Sequence, residues 1–246
     1  MTTYDRIGAS YADTRRPDPR IAARIRRALG GAATVINVGA GSGSYEPSET
    51  VWAVEPSAVM IAQRPAGAAR VLQASAESVP LADDSADAVM ALLTVHHWGD
   101  LEAGIGELRR LARQRVVIFT FDPDINHRFW LLEEYLPQAA VFDGTRAVAV
   151  DRLVGLLGGA RVETVPVPHD CTDGFLAAFW RRPEAYLDPQ VRAAISLFAQ
   201  IGDDVVRPGL ARLEEDLSCG RWHDRHAGLL ERDVLDVGYR LLVADP

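Results

Sequence analysis

Short apolar runs alternate with segments of helical periodicity along the first half of the chain. The apolar runs lie at 34–39, 50–56, 70–75, 86–95 and 115–122. Continuous apolar runs of this length are typical of buried parallel strands. Residues 20–29 and 99–113 instead repeat apolar side chains every three or four positions, as amphipathic helices do. Strands that alternate with helices predict an α/β fold with a doubly wound, mostly parallel Rossmann-like sheet.

The last third of the chain has a different pattern. Residues 145–159 predict a helix that ends at Gly158, and 160–168 and 236–246 predict two further strands. Between these strands, 188–201 predicts a helix with Asp188 at its N-cap and Pro189 at its first position. We therefore expect a sheet of about seven strands, with a helical cap inserted before the last one.

Composition excludes several classes of protein. The chain has 246 residues, 48% of them apolar, and a mean hydropathy of -0.02, as in ordinary globular proteins. Its net charge of -8 provides no overall basic field for nucleic acid or anionic lipid. Cys171 and Cys219 lie far apart, so neither a disulfide framework nor a metal site is expected. No membrane span or signal peptide is apparent, and we expect a cytoplasmic protein.

The candidate chemistry centres on the glycine loop after the first strand, in "VINVGAGSGSYEPSETVWAVEPS" (35–57). Gly39, Gly41 and Gly43 follow a strand end, where open α/β sheets bind their ligands. Glycine lets the backbone approach a ligand that a Cβ would push away. Glu55 ends the second strand, in a position to accept both hydroxyls of a ribose. Together, the loop and the glutamate indicate a cofactor that contains adenosine.

The length of the next connection distinguishes among such cofactors. A nicotinamide dinucleotide is held by a G-x-G-x-x-G/A loop and a helix whose N-terminus carries the pyrophosphate. Here the spacing is G-x-G-x-G, and only "SYEPSET" separates Gly43 from the second strand. A parallel crossover with a helix needs a dozen residues or more. The connection therefore favours a cofactor without phosphate, and S-adenosylmethionine meets that description.

Four segments carry a resemblance to a known family: "VINVGAGSG", "WAVEPS", "ASAESVPLADDSADAVMALLTVHHW" and "RVVIFTFD". They are similar to the successive motifs of class I S-adenosylmethionine-dependent methyltransferases, in particular the small-molecule branch with the ubiquinone and menaquinone methyltransferases. The resemblance implies a single methyltransferase domain over residues 1–246. Its expected parts are an N-terminal arm and helix (1–30), a cofactor-binding core (31–125) and a substrate cap (126–145 and 172–230).

The resemblance also implies roles for residues around the cofactor. "ASAESVPL" matches the segment that contacts adenine, with Ser75 at the usual aspartate position. "YADTRRP" offers Tyr11, Arg15 and Arg16 for the methionine carboxylate, which a guanidinium can bind in bidentate fashion. The predicted cofactor-binding residues are Tyr11, Arg16, Gly39, Ala40, Gly41, Gly43, Glu55, Pro56, Ser75, Ala76, Glu77, Leu93 and Thr94.

The fourth strand ends in "LLTVHHWGD", beside the expected position of the methyl group. His96 and His97 are candidates for a general base because histidine titrates near neutral pH. A packing role at the strand end is the alternative. The residues predicted to face the substrate are Asp122, Trp130, Tyr135, Phe179 and Trp180. Aromatic residues at helical spacing are also typical of a packed core.

Three functions fit this pattern. The first is S-adenosylmethionine-dependent methyl transfer to a small organic molecule by in-line displacement, in which alignment of the reactants is the main task. The second is a non-catalytic S-adenosylmethionine-binding regulator or partner subunit, although a cap that encloses a second ligand favours catalysis. The third is a nicotinamide-dependent oxidoreductase, which the missing crossover helix disfavours. Nucleic acid is disfavoured as a substrate because "TVHHW" stands where amino-methylating DNA enzymes carry N/D-P-P-Y/F.

Overall fold

A seven-stranded sheet forms the centre of the computed structural model, which describes residues 15–246. The strands of the chain are β1 (Val35–Val38), β2 (Thr50–Val54), β3 (Arg70–Leu72), β4 (Ala86–Leu92), β5 (Ala112–Phe121), β6 (Arg161–Thr164), β7 (Val167–Pro168), β8 (Val234–Leu235) and β9 (Tyr239–Ala244). The large sheet has the order β3-β2-β1-β4-β5-β9-β6, and β7 pairs with β8 in a separate small sheet. Strands β1 to β5 are parallel, and β9 runs antiparallel to both of its neighbours. The predicted sheet and its mostly parallel order are confirmed.

Helices cover the sheet and fill the insert. They are α1 (Pro19–Leu29), α2 (Ala58–Ala62), α3 (Leu101–Leu111), α4 (Pro123–Asn126), α5 (Pro137–Gly144), α6 (Val150–Leu156), α7 (Pro189–Ala193), α8 (Ser196–Gln200), α9 (Asp203–Ser218), α10 (Arg221–Arg225) and α11 (Ala227–Leu230). Asp18, Ser57 and Asp100 cap α1, α2 and α3 by accepting a backbone N–H of the first turn. Within residues 15–246, none of the helices has the length and apolarity that crossing a lipid bilayer requires.

Each face of the sheet has its own layer of buried apolar side chains. On one face, Ile21 and Ile25 of α1 belong to a cluster that includes Phe119 of β5 and much of the chain after β6. On the other face, Leu108 of α3 and Leu153 of α6 belong to a second cluster. Because both faces are covered, the central strands are apolar on both sides, which explains their continuous apolar runs.

Residues 165–238, here called the insert, lie between β6 and β9. The helix predicted over 188–201 is divided into α7 and α8, because Ile195 adopts an extended backbone and is buried. Asp188 still caps α7, as predicted, by accepting the N–H of Gln190 at 2.8 Å. Tertiary burial at Ile195 thus overrides the local helical periodicity.

Candidate active site

The carboxyl ends of β1, β2 and β4 open into a cavity of about 400 Å³. This is the edge at which open parallel sheets bind ligands, and the volume suits a small molecule. Most of the predicted cofactor-binding residues line it: Gly39, Ala40, Gly41, Glu55, Pro56, Ser75, Ala76, Glu77, Leu93 and Thr94. Gly43 instead lines a separate cavity of about 240 Å³. Tyr11 is outside the described residues.

Backbone geometry brings the glycine loop against the end of β4. Gly39 and Gly41 have positive φ angles of 71° and 53°, and a Cβ at Gly39 would overlap the Thr94 side chain. Tyr45 and Leu93 also have positive φ, although neither is glycine, and both line the cavity. Such strained residues persist only where the surroundings hold them, and they cluster at functional sites.

The connection from Gly43 to β2 consists of turns and contains no helix. Glu46 in this connection forms an ion pair with Arg64 at 2.6 Å and accepts a hydrogen bond from the side-chain amide of Asn37 at 3.1 Å. These two contacts hold the connection in place. A pyrophosphate would therefore lack the helix N-terminus that carries it in dinucleotide-binding folds. As expected from the sequence, no helix lies between Gly43 and β2.

Glu55 is the buried acid of the cavity wall, with 5% of its surface exposed. Its two carboxylate oxygens accept the N–H of Gly41 at 2.8 Å and of Ser57 at 2.9 Å. These two backbone donors fix the orientation of the carboxylate, a group that can accept several hydrogen bonds. The geometry suits recognition of a vicinal diol.

Glu77 connects the segment after β3 with the segment after β4 in the cavity wall. Its Oε1 accepts the N–H of Gly99 at 2.8 Å and of Asp100 at 3.3 Å. Burial raises the pKa of Glu77, but hydrogen bonds from its own N–H, the Ser75 hydroxyl and these two N–H groups outweigh burial and lower it. Trp98 also lines this part of the wall, in space that Gly104 leaves by having no side chain. No sequence pattern predicted that Trp98 would line the cavity.

The N-terminal arm contributes Arg15 to the cavity, whereas Arg16 is exposed. Arg15 therefore takes the position that was predicted for Arg16. Its guanidinium binds the buried carboxylate of Asp173 in the insert, at 2.7 Å from Nε and 3.3 Å from Nη2. The Tyr45 hydroxyl donates to the same carboxylate at 2.9 Å. The arm, the glycine loop and the insert thus meet at Asp173.

The two predicted histidines follow β4 in a 3₁₀ turn, with ring centroids 3.9 Å apart. His97 lines the large cavity, and His96 lines a second cavity of about 60 Å³. Burial lowers the pKa of His97 to about 4, with a contribution from the positive charge of Arg146. Burial, His97 and Arg146 hold the pKa of His96 well below its usual value. Both rings are therefore neutral near pH 7, as a proton acceptor must be.

The second cavity adjoins the first at Leu93 and Arg15, which line both cavities. Phe121, Phe175 and Tyr239 form aromatic walls, and Ile195 belongs to the part that the insert contributes. Sequence reasoning missed Phe121, Ile195 and Tyr239, because they come from distant segments. Within residues 15–246, no three His, Cys, Asp or Glu side chains are grouped in a way that could hold a metal ion.

The five residues predicted to face the substrate line neither of these two cavities. Trp130 and Trp180 are buried in the core and are joined by a hydrogen bond of 2.9 Å from the Trp130 indole to the Trp180 carbonyl. The Tyr135 hydroxyl binds a carboxylate of α9, and Phe179 packs on an arginine. Asp122 caps α4. The four aromatic residues are part of the packed core, which was the alternative interpretation of their spacing.

Comparisons with known proteins agree with this geometry. A family model described as a methyltransferase domain matches residues 36–120. A solved structure from Anabaena variabilis ATCC 29413, described as a candidate methyltransferase from an antibiotic biosynthesis pathway, is 34% identical with a TM-score of 0.87. The match covers 94% of this chain and 98% of that chain.

Two further proteins are more distant. The uncharacterized methyltransferase YcgJ of Bacillus subtilis (strain 168) is 26% identical over 121 residues, and the match spans 44% of this chain and 44% of that relative. A solved S-adenosylmethionine-dependent methyltransferase from Archaeoglobus fulgidus is 18% identical with a TM-score of 0.51, over 92% of this chain and 93% of that chain. At this identity, the likeness to the Archaeoglobus structure concerns the fold alone.

Proposed function

Because the chain belongs to the class I S-adenosylmethionine-dependent methyltransferases, we propose that it methylates a small organic molecule. The observation that carries the proposal is the pair of adjoining cavities. The larger one contains the glycine loop and Glu55, and the smaller one is lined by aromatic side chains. Leu93 belongs to both walls, so a ligand in one cavity would lie next to a ligand in the other.

The side chains of the larger cavity fit S-adenosylmethionine. Glu55 would accept the two ribose hydroxyls, and the missing Cβ atoms of Gly39 and Gly41 would let the backbone approach the methionine portion. Ala76 and Glu77 would border the adenine. When bound, the cofactor supplies an electrophilic methyl group on a positively charged sulfur.

We assign the acceptor to the second cavity. Its aromatic walls suit the apolar body of a small organic molecule. A volume of about 60 Å³ is too small for such a molecule, so residues 194–197 of the insert must move outward when the acceptor binds. In this proposal, residues 31–125 hold the cofactor and the part of 172–230 near α8 covers the acceptor.

His97 is the candidate general base of this proposal. Its ring lines the cofactor cavity beside Leu93 and Thr94, and it is neutral near pH 7. A neutral imidazole in this position would take the proton of an oxygen or nitrogen acceptor. His96 packs against His97 and would hold its orientation. General-base catalysis contributes typically ~10²–10⁴-fold to the rate, and the lowered pKa of His97 makes it a weak base, which places its contribution towards the low end.

Calorimetric titration with S-adenosylhomocysteine, with NADH in parallel, tests the cofactor site. We expect micromolar binding of S-adenosylhomocysteine alone. A second assay follows S-adenosylhomocysteine production from S-adenosylmethionine with a panel of small phenols, amines and carboxylic acids. Turnover with at least one of them is the expected result. Cofactor binding without turnover on the whole panel would favour a binding protein without catalytic activity, and NADH binding would overturn the cofactor assignment.

A further inference from the structure

Two arginines line the large cavity within the described part of the chain, and they differ in their partners. Arg15 is paired with the buried carboxylate of Asp173 at 2.7 Å. Arg146, from the segment between α5 and α6, donates to the side-chain oxygen of Gln200, which is neutral. The charge of Arg15 is thus compensated inside the protein, whereas the contact that holds Arg146 leaves its charge uncompensated.

A half-buried cation beside a neutral partner is a favourable site for an anion. Moving a charge out of water is costly unless an opposite charge or several hydrogen bonds accompany it. A guanidinium matches a carboxylate best, because its planar fork can donate two parallel hydrogen bonds. The histidines beside it do not supply that positive charge, since burial keeps His96 and His97 neutral near pH 7.

Arg146 lines the larger cavity and is joined to the helix that borders the second one. Its partner Gln200 ends α8, and the Gln200 amide also donates to the Ser196 carbonyl at 2.9 Å. Ser196 lines the second cavity, whereas Arg146 lines the first. The charge of Arg146 acts on His97 in the first cavity and on His96 in the second. An anionic group bound to Arg146 would therefore lie close to the reacting atoms.

Two carboxylates are candidates for this site, the one on the cofactor and one on the acceptor. The glycine loop, where the methionine portion of the cofactor is expected, is bordered by Arg15 and Tyr45. Arg15 lines both cavities, but Asp173 already compensates its charge. Arg146 lines the larger cavity, and Gln200 joins it to α8, whose first residues line the second cavity. Through this link to α8, Arg146 favours the acceptor.

We infer that Arg146 determines acceptor specificity by binding a carboxylate on a small aromatic methyl acceptor, with Gln200 holding the guanidinium in place. The aromatic walls formed by Phe121, Phe175 and Tyr239 would receive the ring of that molecule. This inference rests on the proposed function and adds the chemical class of the acceptor to it.

The test measures binding to the protein saturated with S-adenosylhomocysteine. Salicylate, para-hydroxybenzoate and phenylacetate are titrated by calorimetry, each beside its own methyl ester. We expect at least one acid to bind about tenfold more tightly than its ester, a difference of about 1.4 kcal/mol. Arg146→Gln should abolish this preference, and Arg146→Lys, which keeps the charge but not the fork, should retain part of it. Arg152→Gln, an exposed arginine on neighbouring α6, is the matched control and should leave the preference intact.

Two results would overturn the inference. One is the absence of any acid-over-ester preference, or a preference that survives in Arg146→Gln. The other is a loss of S-adenosylhomocysteine affinity of about tenfold or more in Arg146→Gln, which would assign the arginine to the methionine carboxylate. Both results leave wild-type cofactor binding and turnover intact, so the failure of this inference is distinguishable from the failure of the proposed function.

Discussion

Single residues of the cavity wall are held by backbone groups of the loops beside them. Glu55 is oriented by the N–H groups of Gly41 and Ser57, and Glu77 by those of Gly99 and Asp100. Backbone donors cannot rotate away as side chains do, so both carboxylates are positioned before any ligand arrives. Preorganisation of this kind reduces the entropy lost on binding.

Glu55→Gln should weaken S-adenosylhomocysteine binding by about tenfold to a hundredfold, because charge-assisted hydrogen bonds contribute about 1.5–3 kcal/mol each. The amide keeps the shape of the side chain, but its NH₂ group cannot accept a hydrogen bond. Calorimetry on the folded variant measures the effect. Glu102→Gln, on the exposed surface of α3, is the control and should bind as the wild type does. An unchanged affinity in Glu55→Gln would argue against the ribose role.

Gly39→Ala should destabilise the fold by about 1–3 kcal/mol, since a non-glycine residue at positive φ is strained and its Cβ would overlap the Thr94 side chain. Urea unfolding gives the free energy of unfolding. Gly31→Ala is the matched control, because a Cβ there meets no atom within 4 Å. Its effect should stay within about 0.5 kcal/mol. Equal losses in the two variants would contradict this account of the loop.

Elements far apart in the chain are connected at Asp173. Its buried carboxylate accepts from Arg15 in the arm and from Tyr45 in the glycine loop, and its Oδ1 also accepts the N–H of Gly174 at 2.7 Å. The Tyr45 hydroxyl in turn accepts the N–H of Asp18 at 3.2 Å. Burial and the negative charge of Asp173 raise the pKa of Tyr45, so its hydroxyl stays protonated and continues to donate. This contact joins the glycine loop directly to the insert.

Tyr45→Phe should both destabilise the protein and weaken its affinity for S-adenosylhomocysteine. Removal of the hydroxyl takes away the acceptor of the buried Asp18 N–H and one of the donors to Asp173, at a cost of about 1–3 kcal/mol. Tyr186→Phe is the matched control, because its hydroxyl donates to the Leu176 carbonyl at 2.6 Å, away from the cofactor cavity. The control should lose stability without losing affinity. If Tyr45→Phe binds S-adenosylhomocysteine like the wild type, Asp173 and Tyr45 do not support the cofactor loop.

The molecule as a whole keeps two histidines neutral at the end of β4. An unfolded chain protonates histidine near pH 6.5, whereas burial lowers the pKa of His97 to about 4 in the folded protein. Below pH 6.5 the unfolded state therefore binds a proton that the folded state does not. Because protonation favours the unfolded state over this range, the free energy of unfolding falls as the pH falls from about 6.5 towards 4.

His97→Gln should make the free energy of unfolding less dependent on pH, because glutamine does not titrate. The wild type should lose up to about 3 kcal/mol more stability than the variant between about pH 7 and pH 4. Urea unfolding at a series of pH values measures the two slopes. His223→Gln, at an exposed histidine, is the control and should keep the wild-type slope. Parallel curves for the wild type and His97→Gln would mean that burial does not lower the pKa of His97.

The sequence by itself determined the features that have local causes. Apolar runs predicted the seven strands, since buried parallel strands are apolar on both faces. Asp188 was recognisable as a helix cap, because a cap acts on the next turn of its own chain. The glycine spacing and the short step to Glu55 indicated the cofactor, because loop length and backbone freedom are properties of neighbouring residues.

Only the tertiary structure decided which side chains meet across the chain. Arg15 rather than Arg16 reaches the cavity because Asp173, 158 positions later in the sequence, lies there to receive it. The aromatic residues predicted to face the substrate form a core, while Phe121, Phe175 and Tyr239, which lack any shared spacing, line the second cavity. Arg146 in the wall of the larger cavity is joined to α8 through Gln200, which lies 54 positions away. Spacing along the chain carries no information about such contacts, because they depend on how the packed layers bring distant segments together.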